Sequence, residues 1–216
     1  MKPLLLLLAL PVAAHASWFE FEAGVGMTHY ETENGRWYQN GQPENTVHAN
    51  APAISVGITA PFYVGGNRGV DWHLDYVRLG NASASCTCLT RDSDYAAHRD
   101  GPRARFSGSG NARGVSLTVE PYYWTHGWRF GLEAGVFVYR STWRETVTGW
   151  TVSDAPVQNL QLSASGWHVA PVAGVNAGDG VWSVSYRHYF MRYNSVRQNV
   201  PPLWSDADVL EIKRRF

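Results

Sequence analysis

The stretch WRFGLEAGVFVY, residues Trp128–Tyr139, decides the fold. Phe130, Leu132, Ala134, Val136 and Val138 share one face at a spacing of two residues, while Arg129, Gly131, Glu133 and Gly135 share the other. A spacing of two is the periodicity of a β-strand and not the 3.6 of a helix. The stretch is also about as long as a tilted strand that crosses the apolar layer of a membrane, roughly 9–11 residues.

Similar alternation recurs along the chain and predicts eight strands. Their approximate ranges are 18–30, 54–62, 70–76, 115–120, 128–139, 167–176, 182–187 and 207–216. Long polar connections, at 31–50, 80–112, 140–166 and around Pro201, alternate with short turns, and an extension of the fifth strand into the first residues of 140–166 stays open. Proline cannot donate to a ladder, so Pro171 predicts a bulge in the sixth strand. This layout is typical of an all-β, eight-stranded antiparallel transmembrane β-barrel, with short periplasmic turns and long external loops.

The first sixteen residues have the pattern of a cleaved secretory signal peptide. Lys2 gives a positive start, Leu4–Leu10 an apolar core, and Ala14-His15-Ala16 a small-residue cleavage site. The predicted organisation is therefore a signal peptide at 1–16 and one barrel domain at 17–216. No later stretch is apolar for 18 residues, and a net charge of zero argues against a nucleic-acid partner.

Composition and spacing predict that the apolar face points outward to lipid. Ten tryptophans, with aromatics near the predicted turns, fit membrane-interface girdles. A soluble lipocalin-like carrier, apolar inside, is the alternative. An outward apolar face puts charged side chains in the barrel interior, where they must pair, and structural filling is favoured over a narrow ion path. The expected interior charges are Glu20, Glu22, Asp71, Asp75, Glu120, Arg129, Glu133, Arg187, Glu211 and Lys213.

The signal peptide, the alternating segments and the terminal Phe216 together resemble the small outer-membrane barrels of the OmpA, OmpX and OmpW type. The closing segment DVLEIKRRF is similar to the signal read by the barrel-assembly machinery, although Arg214 stands where an aromatic is commoner. The resemblance implies a monomeric, porin-like protein of the Gram-negative cell envelope, located in the outer membrane. Its implied partners are outer-membrane lipid, lipopolysaccharide and the assembly machinery.

The segment Tyr186-Arg187-His188-Tyr189, followed by Asn194 and Asn199, also resembles the region around the catalytic histidine of lipid A deacylases. Parity places His188 on the lipid-facing wall, as in that family. The family's serine lies two residues after its histidine, and here that position is Phe190, so the hydroxyl nucleophile is missing. Ser195 is too far along the strand or loop to be assumed a substitute, and it becomes the first nucleophile to test only if lipid A is found to lose an acyl chain. The predicted function is therefore non-enzymatic, with a lipid A deacylase-like hydrolase as an alternative.

Residues of the second long connection, Cys86, Cys88, Asp92, Asp94 and His98, match no standard zinc or calcium spacing. No metal or cofactor is therefore predicted. One intervening residue makes a bridge between the two cysteines strained, whereas export makes free thiols less persistent, so their redox state stays open. External loops are expected to support surface interaction or membrane integrity.

Overall fold

A computed structural model describes residues 18–32, 46–89, 103–150, 158–191 and 204–216. Its elements are β1 Glu20–Thr32, β2 Thr46–His48, β3 Asn50–Gly65, β4 Arg68–Leu89, β5 Arg103–Thr125, β6 Trp128–Trp150, β7 Gln158–Gly178, β8 Trp182–Tyr189 and β9 Trp204–Arg215. None of the described residues forms a helix with the length and hydropathy needed for a membrane crossing.

The strands close into an antiparallel ring. The order is β4-β3-β1-β9-β8-β7-β6-β5, and pairing of β4 with β5 completes the circle. The short strand β2 pairs with β4 just beyond the start of β3. The first and last long strands are neighbours, and the Phe216 N–H donates to the Phe21 carbonyl at 2.9 Å. The described chain therefore confirms the predicted all-β, eight-stranded antiparallel barrel.

Short turns join β3 to β4, β5 to β6 and β7 to β8 at one end of the barrel, called here the turn end; the opposite end is the loop end. His126 and Gly127 both have positive φ, 50° and 80°, as the tightest hairpin turns require. In the β7–β8 turn the Asp179 carboxylate accepts the N–H groups of Val181 and Trp182, at 2.9 and 2.6 Å. The two hydrogen bonds lower the pKa of Asp179.

The strands extend far beyond the ranges that the sequence predicts. Most of 80–112 and of 140–166 was expected to be loop, but β4 reaches Leu89, β5 begins at Arg103, and β6 and β7 continue to Trp150 and from Gln158. This prediction was wrong because the alternation persists there with its polarity reversed, so that inward apolar residues such as Trp143 and Val147 alternate with outward polar ones. Residues 90–102 and 151–157 lie outside the described part.

The expected bulge at Pro171 is also wrong. Pairing of β6 with β7 runs without a shift through Val136 and Pro171. The Phe190 N–H donates to the Pro171 carbonyl, so the proline nitrogen also faces β8, close to where β8 ends at Tyr189. Because the missing N–H of Pro171 lies where the pairing of β7 with β8 ends, its absence removes few hydrogen bonds between these strands.

Candidate functional site

A continuous apolar belt surrounds the turn-end half of the barrel. On β6 it runs from Trp128 to Val138, and the large outward side chains of this segment are 43–64% exposed. At about 3.4 Å per residue and a tilt of about 40°, these ten steps span about 26 Å, close to the apolar band of membrane barrels. Exposed aromatics mark its turn-end edge: Phe62, Tyr63, Tyr123, Trp128 and Trp182.

Behind the belt, the interior holds a connected set of buried charges. Arg187 on β8 is fully buried and donates through Nε and Nη2 to both carboxylate oxygens of Glu133 on β6. Its Nη1 donates to Asp75 on β4 at 2.8 Å. This arginine therefore ties three strands together across the barrel, in the bidentate geometry that suits a guanidinium.

Lys213 and His73 continue the network toward the turn end. The Lys213 ammonium contacts Asp75 at 3.2 Å and Glu22 at 2.8 Å. The two ring nitrogens of His73 lie 3.0 Å from Glu22 and 2.8 Å from Glu120. Because an ionised carboxylate only accepts hydrogen bonds, both ring nitrogens must carry protons for both contacts to be hydrogen bonds.

Two further arginines close the turn end of the network. Arg129 contacts Asp71 at 2.7 Å and Glu120 at 3.1 Å. Arg215 contacts Asp71 at 3.2 Å and Glu120 at 3.5 Å. At the other end of the network, the Ser55 hydroxyl donates to Glu211 at 2.8 Å. All the expected interior charges are buried except Glu20, which is exposed because β1 begins there, at the mouth of the barrel.

Inward-facing glycines make room for these side chains. A Cβ atom at Gly131 would overlap the Glu120 carboxylate, and one at Gly57 would overlap that of Asp75. Alternating glycine with charge on the inward face therefore lets a narrow barrel hold its charges.

Nearer the loop end, the interior changes from charged to aromatic. Phe137 stacks on Tyr139 and meets Tyr189 edge to face, with ring centroids 5.0 and 4.9 Å apart. Trp204 packs against Tyr30 and Trp143 above them. These six side chains, called here the aromatic layer, are at most 3% exposed. They fill the bore above the charges.

The two halves of the barrel thus have opposite polarity. On β6 the outward residues Thr142, Arg144 and Thr146 are polar, while the inward Trp143 and Val147 belong to the apolar core, with the buried Glu145 between them accepting a hydrogen bond from the Trp143 indole. Toward the turn end, the outward side chains are apolar and the inward ones charged. The described chain is therefore a closed eight-stranded antiparallel β-barrel with an apolar outer belt and a charged interior behind it.

No protein-family model and no curated protein matches the sequence. The barrel is similar to solved structures of Ail, the attachment invasion locus protein of Yersinia pestis. A crystal structure has a TM-score of 0.45 at 10% identity, covering 92% of this chain and 97% of that one. A complex of Ail with the heparin analogue sucrose octasulfate gives 0.36 at 9%, covering 93% and 100%. A backbone structure in a phospholipid bilayer nanodisc gives 0.30 at 11%, covering 91% and 99%.

His188 lies on the outer wall of the barrel, with its side chain 21% exposed. Its Nδ1 is 2.8 Å from Asp208 on β9, and the Tyr186 hydroxyl donates to the same carboxylate oxygen at 2.6 Å. Phe190 stands edge to face against the imidazole, with centroids 4.3 Å apart. A base and an acid are therefore paired, but an aromatic ring occupies the position of the deacylase serine. Ser195 lies outside the described residues.

Two groups of side chains in the described residues could offer ligand atoms to a metal ion, each within 4.8 Å: Glu31 with His188 and Asp208, and His73 with Glu120 and Glu133. The second group is already occupied by internal hydrogen bonds, because both His73 nitrogens contact carboxylates and Glu133 is held by Arg187. Cys86, whose redox state was left open, is disulfide-bonded. Asp92, Asp94 and His98 lie outside the described residues.

Sequence reasoning did not single out His73, Arg215 or Asp208. The first two share the inward parity of their predicted charged neighbours, and that parity was the available signal. Asp208 lies twenty residues from His188 along the chain and meets it only through the pairing of β8 with β9. No local sequence pattern joins these two residues.

Proposed function

We propose that this protein is a non-enzymatic integral protein of the Gram-negative outer membrane. The apolar belt over a charged interior carries this proposal, because such a surface is stable only against lipid. The loop-end half projects beyond the belt with a polar outer surface, which suits contact with the external medium. Its role is surface interaction or maintenance of membrane integrity.

The interior charges are proposed to fill and stiffen the barrel and not to conduct ions. Each of Arg187, Lys213 and Arg129 contacts at least two carboxylates, so these cations are held in place by several strands. The aromatic layer adds a closed apolar section in the same bore. A soluble carrier is not supported, since a lipocalin-like barrel is apolar inside and polar outside around its whole ring.

Assembly follows from the same proposal. Residues 1–16 would direct export and be removed, leaving 17–216 as the barrel, and the C-terminal strand ending at Phe216 would be read by the barrel-assembly machinery. Arg214 faces outward with its guanidinium over the rings of Trp182 and Phe216, 5.2 and 4.8 Å from their centroids. The unusual arginine is thereby compatible with the aromatic edge of the belt. The protein is expected to be a monomer.

The test is partitioning and heat-modified gel mobility. The protein should fractionate with outer membranes, require detergent, and migrate differently before and after boiling, because a closed barrel hides its backbone and resists detergent until heated. Solubility in plain buffer together with identical migration would reject the proposal.

A lipid A deacylase-like hydrolase is the second candidate, and the pairing of His188 with Asp208 is the observation that favours it. Ester hydrolysis also needs a nucleophile and donors to the oxyanion. Expression in a host with fully acylated lipid A should leave the mass of that lipid unchanged. Loss of one acyl chain that disappears in His188→Ala would establish the hydrolase instead, and Ser195→Ala would then be the next variant.

A further inference from the structure

Three arginines lie side by side on the outer wall, at the loop-end edge of the apolar belt. Arg78 on β4 is paired with Arg113 on β5, which is paired with Arg140 on β6. All three side chains point outward and are exposed. Residues directly opposite each other on neighbouring strands have Cβ atoms about 4.5–5.5 Å apart. The three cations, called here the arginine row, are therefore immediate neighbours.

The arginine row has no ion pair to any carboxylate of the described residues. Its one hydrogen bond to a side chain there runs from Arg140 Nη2 to the Ser165 hydroxyl at 3.3 Å. Like charges directly opposite each other destabilise a sheet. A barrel that keeps three such charges in register therefore gains from an external anion.

The depth of the row identifies the kind of anion. One step toward the turn end, the paired outward residues are Tyr76, Val115 and Val138, which belong to the apolar belt. On β7 the residue paired with Arg140 is Trp167, 70% exposed. Tryptophan is enriched at the level of lipid headgroups. The arginine row thus lies where the headgroups of a surrounding lipid leaflet begin.

An open groove continues from the row toward the loop end. Its volume is about 500 Å³, and it is lined by Arg113, Arg140 and Arg144 with the polar side chains of Asn111, Ser163 and Ser165 among others. Within the described part of the chain, no acidic side chain lines it. Across the ring, the outer wall near the loop end carries Glu31 and Asp208 instead, so the basic surface described here lies on the β4–β7 side.

We propose that the arginine row and this groove bind the phosphate groups of an outer-leaflet glycolipid. The inference rests on the proposed membrane location. Guanidinium groups bind phosphate oxygens bidentately, and the asparagine and serine side chains of the groove can hydrogen-bond sugar hydroxyls. The belt residues directly below accommodate the acyl chains. A soluble polyanion would use the groove but would gain nothing from the apolar residues beneath it.

Equilibrium binding of fluorescently labelled lipid A to the detergent-solubilised protein tests this directly. Arg113→Gln removes the central charge, and Arg68→Gln removes an exposed charge at the turn end as the matched control. Loss of a charged hydrogen-bonding group should weaken binding about tenfold in the first variant. The control variant should bind lipid A with the affinity of the wild type. Dephosphorylated lipid A lacks the phosphate that Arg113 would bind, so the wild type and Arg113→Gln should bind it with the same affinity.

A stability measurement separates binding from a structural role. Without lipid A, Arg113→Gln should unfold at the wild-type temperature or above, because it relieves repulsion within the row. With lipid A present, it should unfold below the wild type. A lower unfolding temperature under both conditions would assign the arginine a structural role and overturn the proposal.

Three other outcomes would also overturn it. They are equal binding by the two arginine variants, competition by inorganic phosphate at concentrations similar to lipid A, and a preference for soluble heparin over lipid A. None of these outcomes tests the proposed membrane location. That proposal is tested separately, by the membrane partitioning and the heat-modified gel mobility of the same variants.

Discussion

Replacing Arg187 by leucine would remove the cation that holds Glu133 and Asp75 together at the centre of the barrel. Asp75 would keep Lys213 at 3.2 Å, but no other ion pair to Glu133 occurs among the described residues. Glu133 would then either stay charged and unpaired or take up a proton. Breaking a buried pair costs about 3–5 kcal/mol. Protonating an ordinary glutamic acid at pH 7 costs roughly 3–4 kcal/mol.

Both routes give the same expectation, a loss of about 3–4 kcal/mol in the free energy of unfolding. The assay is reversible urea unfolding in lipid vesicles, followed by tryptophan fluorescence. Adding Glu133→Gln to Arg187→Leu should recover part of the loss, because it removes the Glu133 charge, while Glu211, whose 3.6 Å contact with Arg187 is also lost, keeps the hydrogen bond from the Ser55 hydroxyl. Arg68→Leu, at an exposed turn position, should change stability by less than about 0.5 kcal/mol. A loss below about 1 kcal/mol, or no recovery in the double variant, would refute the reasoning.

Three further changes test the belt, the interior spacing and one turn. Val136→Arg puts a charge within the belt and should cost about 2–4 kcal/mol in vesicle unfolding, whereas Val136→Leu should be nearly neutral; equal stabilities would mean that the face is misassigned. Gly135→Val would drive a side chain into the carbonyl of the neighbouring strand and should reduce the folded fraction on unboiled gels, while the outward Ala134→Val should not. Two backbone hydrogen bonds lower the pKa of Asp179, so its carboxylate stabilises the folded turn at pH values above the unfolded-state pKa. The unfolding temperature of Asp179→Ala should therefore lie below that of the wild type at neutral pH, and this difference should shrink as the pH falls below about 4. A difference that stays the same at every pH would contradict this prediction.

The sequence predicted the half of the barrel that carries the apolar belt, because the proposed contact with lipid imposes one rule on every outward residue there. Phe130, Leu132 and Val136 are apolar for that reason, and the glycines and charges between them follow from a narrow interior. Parity alone then identified the inward positions of Arg187 and Glu133. It failed at Glu20, since parity gives the direction of a side chain but not the height at which the barrel ends.

Specific pairings could not be predicted, because they depend on register across several hairpins. Arg78, Arg113 and Arg140 are separated by long stretches of chain, and nothing near any one of them indicates the other two. The same holds for Asp208 beside His188. Once the register is known, both groups follow directly from strand pairing.

The missed strand extensions have a physical cause that also explains the arginine row. Beyond Arg140 the outer wall is polar, as the proposed membrane boundary requires: Thr142 and Arg144 stand where valine and leucine stand in the belt, while Trp143 turns an apolar ring inward. Hydropathy averaged over such a segment resembles that of a loop, although the period of two is intact. The alternation reverses its polarity at the level where the surrounding medium changes. A row of outward arginines at that reversal is therefore positioned by the same boundary that divides the barrel into its two halves.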